Sequence, residues 1–148
     1  MGCYNASGFH TNMHTPSDLL LYEVTMTKIL IVEDEPDVAE LVRRVLTAVG
    51  YEVLHAPTAE RGLELALSVH PNLILLDLGL PDYDGQTLAG WLRAEPDLQS
   101  IPLVAFTAWP QETVKEMTES YGCAGYISKP IVSIHDFADQ IRSYLIPA

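Results

Sequence analysis

Apolar and polar positions follow two alternating rhythms along this chain. From residue 27 onward, short unbroken apolar runs alternate with stretches in which apolar residues return every three or four positions. The run Lys28-Ile29-Leu30-Ile31-Val32 reads as a strand buried on both faces. Pro36 then suits the first turn of a helix. Val38, Leu41, Val42, Val45, Leu46 and Val49 keep helical spacing, with Arg43 and Arg44 on the other side and Gly50 at the stop. Tyr51-Glu52-Val53-Leu54-His55 is a second strand. Thr58 caps a helix carrying Leu63, Leu65, Ala66, Leu67 and Val69, which stops before Pro71. The third strand, Leu73-Ile74-Leu75-Leu76, ends in Asp77. A helix spans about Thr87 to Ala94, broken by Pro96-Asp97. Pro102 to Phe106 is the fourth strand, and Pro110 opens a polar helix that reaches about Tyr121. Ala124 to Ser128 is a weaker fifth strand. Ser133 with Asp136 marks the cap of a last helix, with Ile134, Phe137, Ile141 and Leu145 as its core stripe.

Strict strand–helix alternation implies an α/β fold with a parallel sheet, helices on both faces and right-handed crossovers. Distinctive polar residues sit at the ends of strands one, three, four and five: Glu33-Asp34, Asp77, Thr107 and Lys129. Strand two ends in His55-Ala56-Pro57, with nothing comparable. The order 2-1-3-4-5 puts strand two at an edge and opens a crevice between strands one and three, beside both acid positions. The expected fold is therefore a flavodoxin-like, doubly wound five-stranded sheet.

Residues 1–25 break the pattern. They are small and polar, apart from Leu19-Leu20-Leu21-Tyr22, which would make a turn of helix from Ser17. They hold no hydrophobic segment of the signal-peptide kind. We read them as a disordered extension from an upstream start or added sequence, with the compact domain running over 26–148; a docking segment is the competing reading. Gly2-Cys3 carries Ala6 where an acylation signal needs Ser or Thr.

Composition narrows the classes. Of 148 residues, 48% are hydrophobic and 19% charged, as in ordinary soluble domains. No apolar run approaches a membrane span, so no membrane role is expected. A net charge of −12, with eight unclustered Lys and Arg, argues against direct DNA binding. Cys3 and Cys123 lie far apart, which excludes a disulfide framework or zinc pair and fits a cytoplasmic setting. The five histidines show no metal-ligand spacing.

Convergence of the strand ends would gather Glu33, Asp34 and Asp77 around Lys129. Three carboxylates and one ammonium leave a formal −2, which one Mg²⁺ neutralises. The carbonyl of Gly79, just past Asp77, is a further candidate ligand. Thr107 and Lys129 would face an incoming phosphoryl group, and an ionised Asp77 can attack phosphorus to form an acyl phosphate. Plainer uses exist for the same residues. Asp77 can cap a turn, the Glu33–Glu35 acids can favour a helix N-terminus, Thr107 can cap the Pro110 helix, and Lys129 can be a solvated loop residue. Four polar signals at four strand ends weigh against that reading.

From Met26 onward the chain resembles response-regulator receiver domains of bacterial two-component signalling. The resemblance lies in Lys28-Ile-Leu-Ile-Val-Glu-Asp-Glu, Leu75-Leu76-Asp77 with Leu80-Pro81 and Asp84-Gly85, Phe106-Thr107-Ala108, and Tyr126-Ile127-Ser128-Lys129-Pro130. The segment Tyr126 to Leu145 resembles single-domain regulators of the DivK type. The resemblance implies that Asp77 takes phosphate from a kinase phosphohistidine, with Asp34 and Glu33 serving Mg²⁺. It also implies that Thr107 and Lys129 contact the phosphoryl group, that Lys129-Pro130 is cis and that Tyr126 is the aromatic switch. The chain departs from the common pattern at Glu33, where aspartate is commoner, at Tyr83, where methionine is common, and at Gly79, which offers no side chain beside the site.

The expected function is a stand-alone phosphorylation switch: a signalling domain rather than a turnover enzyme, with autodephosphorylation as its own hydrolytic step. About three residues follow the last expected helix, too few for an output domain. Expected partners are a sensor histidine kinase or histidine phosphotransfer protein and a downstream protein that reads the surface from strand four to the last helix. Three alternatives stay open. A phosphorelay intermediate would pass phosphate on to a phosphotransfer protein. A phosphatase would use Asp77 as nucleophile, although Asp77-Leu78-Gly79 lacks a second aspartate two residues on. A flavin module would need a phosphate cradle where this chain has acids.

Overall fold

The computed structural model describes residues 26–145. The elements run β1 (Lys28–Val32), α1 (Pro36–Ala48), β2 (Glu52–Ala56), α2 (Ala59–Val69), β3 (Leu73–Asp77) and α3 (Gly85–Ala94), followed by a 3₁₀ turn (Pro96–Leu98), β4 (Leu103–Thr107), α4 (Gln111–Ser120), β5 (Gly125–Ser128) and α5 (Ile134–Leu145). All strand pairs are parallel, in the order β2-β1-β3-β4-β5. This is the order expected from the polar strand ends. The expected extension at 1–25 lies outside the described residues.

Side chains alternate across a strand, so each strand feeds two cores. Ile29, Ile31, Leu73, Leu75, Val104 and Phe106 point to one face, where α1 supplies Val42, Val45 and Leu46 and α5 supplies Phe137 and Ile141. Leu30, Val32, Ile74, Leu76 and Ala105 point to the other, against Ala66 of α2, Leu88 and Leu92 of α3 and Val114 of α4. β3 and β4 are buried at every position because both faces are covered. At roughly 1.5–3 kcal/mol for each fully buried large apolar side chain, these two layers supply the main favourable term in folding.

The helix stops and caps follow local chemistry. Gly50 and Gly122 take left-handed φ angles of 102° and 73° after α1 and α4. Thr58 Oγ1 accepts from Arg61 N at 3.1 Å, and Ser133 Oγ accepts from Asp136 N at 3.1 Å. Several expected core positions are exposed among the described residues instead: Ile134, Leu41, Val49 and Leu67. Helix α3 begins two residues earlier than its apolar pattern, because Asp84 Oδ1 accepts from Thr87 N at 2.8 Å and so caps it.

The pattern gave no sign of Arg93. Its guanidinium ties α3 to the turn before β4 and the loop before β5, donating to the carbonyls of Leu98, Gln99, Ile101 and Gly122 at 3.0–3.3 Å. Replacing Arg93 by Ala strands partly buried carbonyls and should cost about 2 kcal/mol in urea unfolding. Arg93→Lys should recover only part of this, since an ammonium lacks the planar fork. Equal stability of Arg93→Lys and the parent would contradict the assignment.

Candidate phosphoacceptor site

The strand ends bring the predicted residues together, and strand parity explains how. Glu33 follows β1 in the register of Ile29 and Ile31, Asp77 ends β3 in the register of Leu73 and Leu75, and Lys129 follows β5 two residues after Ile127. All three therefore leave the sheet on its α1/α5 side. Lys129 Nζ lies 2.7 Å from Glu33 Oε1, 3.4 Å from Asp77 Oδ2 and 5.0 Å from the centre of the Phe106 ring. Its backbone N–H donates to the Thr107 carbonyl at 2.8 Å, which holds the lysine at the sheet edge. The Lys129-Pro130 bond is cis.

Each acid has its own anchor. Glu33 is 0% exposed, and its Oε2 accepts from Glu35 N at 3.1 Å. Asp77 is 8% exposed, and its Oδ1 accepts from Gly79 N at 3.1 Å. The turn-capping use of Asp77 is thus real, yet it occupies one oxygen only. Asp34 is exposed. One carboxylate oxygen from each of Glu33, Asp34 and Asp77 can be chosen so that all lie within 4.8 Å of one another. That is close to the ~4 Å between opposite ligands of a Mg²⁺ ion bound at its usual oxygen distance. The donor set, all oxygen and net negative, fits this ion.

The electrostatics agree. Burial is the largest influence on Glu33 and lifts its carboxyl above the usual range, although Lys129 and the Glu35 amide pull the other way. Burial works to lower Lys129, but Glu33 and Asp77 outweigh it and hold the ammonium above the ordinary lysine value. Both shifts retain protons, as a pocket with more acids than bases should.

Thr107 is 2% exposed and has the opposite parity. It shares a sheet face with Ala105, and Ala105 is paired with Tyr126 on β5. The half-buried Tyr126 packs against the core on that same side. Thr107 Oγ1 accepts from Trp109 N at 3.1 Å, and among the described residues its own proton has no acceptor. It does not cap α4, whose N-cap position is held by Pro110.

Sequence reasoning gave no structural role to three supporting groups, His55, Asp82 and Asp84. His55 Nε2 lies 2.7 Å from the Glu33 carbonyl, which only accepts, so the imidazole proton is on Nε2. Asp82 and Asp84 tie down the loop after Asp77; only the Asp84-Gly85 pair offered a hint, as a helix-cap signal. Gly85 is obligatory, since a Cβ there would lie 2.6 Å from the Asp77 carbonyl oxygen. At Gly79, where a side chain would meet nothing within 4 Å, the space beside the site is open. His135, Asp136 and Asp139 also bring ligand atoms within 4.8 Å, but on the surface of α5, where Arg142 engages Asp139 at 2.6 Å.

The family model for the response regulator receiver domain matches residues 29–142. The chain belongs to this family. It is 40% identical over 121 residues to the polar-differentiation response regulator DivK of Brucella ovis, an alignment covering 81% of this chain and 98% of that one. A response regulator from Chloroflexus aurantiacus superposes with a TM-score of 0.77 at 29% identity, covering 82% of this chain and 98% of the other. The receiver domain of the Pseudomonas aeruginosa sensor histidine kinase PA1611, solved with magnesium in its active-site cleft, superposes at 0.74 with 24% identity and covers 82% and 98%. Among the described residues, no helix is long and apolar enough to cross a membrane.

Removing one partner of a buried ion pair leaves the other uncompensated. Lys129→Met should therefore lower stability at pH 7 by about 3 kcal/mol. Without the ammonium, Glu33 titrates higher still in the folded state. Its folded pKa then exceeds the unfolded one, so stability returns as pH falls through the folded value. Urea unfolding at pH 7 and pH 5 should show the deficit shrinking in acid. A deficit that stays constant would mean that Glu33 is not the group left unpaired.

Proposed function

We propose that Asp77 is a phosphoacceptor that takes a phosphoryl group from the phosphohistidine of a sensor histidine kinase or a histidine phosphotransfer protein. The observation that carries this reading is the placement of its carboxylate: at the carboxyl end of β3, 3.4 Å from the Lys129 ammonium, within a pocket of three acids. In the transfer, one oxygen of Asp77 forms a bond to phosphorus. The phosphorus–nitrogen bond of the donor breaks, its electron pair returns to the imidazole, and Asp77 carries an acyl phosphate.

Glu33, Asp34 and Asp77, with the Gly79 carbonyl, are the residues that would hold Mg²⁺. When bound, this ion neutralises charge on the phosphoryl oxygens. Lys129 supplies the fixed positive charge on the other side, already oriented by Glu33 before any phosphoryl group arrives. The buried Thr107 hydroxyl has a free proton to donate to a phosphoryl oxygen. Drawing Thr107 toward the site empties space on the sheet face it shares with Tyr126. The aromatic ring then turns inward, and the surface formed by β4, α4, β5 and α5 changes its affinity for a downstream protein. The match to DivK over 98% of that protein's length supports a regulator that acts as a receiver alone.

Intact-mass analysis after incubation with acetyl phosphate should reveal one added phosphoryl group. The adduct should require Mg²⁺ and disappear in Asp77→Asn. An adduct that survives this substitution would overturn the assignment; absence of both an adduct and a stable beryllofluoride complex would overturn the receiver chemistry itself. Tyr126→Ala should be phosphorylated as the parent is, yet lose phosphorylation-dependent partner capture about tenfold, or ~1.4 kcal/mol. Unchanged capture would rule out the Tyr126 route.

A further inference from the structure

The loop between Asp77 and α3 is held at its base by its own backbone. Gly79 N donates to Asp77 Oδ1 at 3.1 Å, and Gly85 N donates to the Leu78 carbonyl at 3.1 Å. Leu80 packs half-buried on the core beneath. The far side of the loop is fixed differently. Asp82 reaches across to another element: its Oδ1 accepts from Ala59 N at 2.9 Å and its Oδ2 from Glu60 N at 3.0 Å.

These are the first two amides of α2, which have no partner within their own helix. The third, Arg61 N, goes to Thr58 Oγ1. Asp82 thus completes the cap of a helix whose own N-cap residue lies 24 positions earlier in the chain. Partial desolvation works to raise the Asp82 carboxyl, but the backbone amides around it outweigh that and hold it below its ordinary value. An ionised carboxylate at a helix N-terminus is well placed against the helix dipole.

The consequence for the site follows from the ligand Gly79 would supply. A backbone carbonyl has no charge with which to pull a cation into place, and Mg²⁺ tolerates little departure from octahedral geometry. Gly79 has no side chain to anchor it, so beyond its amide bond to Asp77 its placement falls to the anchors of its loop. We propose that Asp82 is a positioning residue for the phosphoacceptor site: by capping α2 it fixes the Gly79–Tyr83 loop and thereby sets the affinity of the acidic pocket for a divalent cation. This inference rests on the phosphoacceptor reading of Asp77 and adds a residue that does not itself touch the cation or the phosphoryl group.

Thr58 supplies the control, because its hydroxyl caps the same helix at Arg61 N and makes no hydrogen bond to the loop among the described residues. MgCl₂ titrations of Asp82→Ala, Asp82→Asn and Thr58→Ala, read from the Gly79 amide resonance in nitrogen-labelled protein, separate the two roles. Both Ala variants should melt a few degrees below the parent. Only Asp82→Ala should raise the half-saturating Mg²⁺ concentration, by about tenfold, the lower end of the cost of losing an outer-shell anchor. Asp82→Asn retains one acceptor and should fall between. It also decides the matter if Asp82→Ala does not fold. Equal Mg²⁺ affinity in all four proteins, or an equal shift in Asp82→Ala and Thr58→Ala, would overturn the assignment. Acetyl phosphate labelling of the same samples separates the two readings. A parent that takes up no phosphoryl group sinks the phosphoacceptor reading and this inference with it. A parent that is phosphorylated, beside variants with unchanged Mg²⁺ affinity, sinks the role of Asp82 alone.

Discussion

A lysine ammonium 2.7 Å from a fully buried glutamate and 3.4 Å from a nearly buried aspartate is an arrangement that water would dissolve if it could enter. Desolvating such charges is expensive, and their attraction offsets the cost only when the geometry is fixed in advance. Here the fixing is distributed. The Glu35 amide holds Glu33, the Gly79 amide holds Asp77, and the Thr107 carbonyl holds the backbone of Lys129. The pair joins β1 to β5 across two intervening strands, so the sheet cannot shear without separating opposite charges. The excess of acid over base in the same pocket leaves a negative charge that a divalent cation would balance.

Strand parity divides the polar residues at the strand ends between the two faces of the sheet. Glu33, Asp77 and Lys129 share the sheet face covered by α1 and α5, whereas Thr107 and Tyr126 share the face covered by α2, α3 and α4. Thr107 therefore stands at the border: its strand end reaches the site, and its side chain belongs to the other layer. The Thr107 side chain thus packs in the layer of Tyr126, while its carbonyl holds the backbone of Lys129 on the other side.

Much of this was legible in the residues. Continuous apolar runs gave the strands, helical spacing gave the helices, and the contrast between His55-Ala56-Pro57 and the polar ends of the other strands gave the sheet order. Where the reading failed, a neighbour was missing or present without a local sign. Ile134, Leu41, Val49 and Leu67 keep apolar spacing, yet they stay exposed among the described residues. The apolar pattern starts α3 two residues late, because neither its cap Asp84 nor its first residue Gly85 carries apolar periodicity.

The sequence by itself determined the alternation of elements, the chemical character of the strand ends and the identity of the acids, the hydroxyl and the lysine that meet there. These follow from period, propensity and charge, which act over a few residues. Only the tertiary structure decided which carboxylate the lysine holds most closely and which oxygen of Asp77 the Gly79 amide takes. It also decided that Asp82 caps a helix 22 residues behind it and that Arg93 gathers the carbonyls of two loops. Those contacts join residues far apart in the chain, and a hydrogen bond across such a distance exists only once packing has brought donor and acceptor to one place.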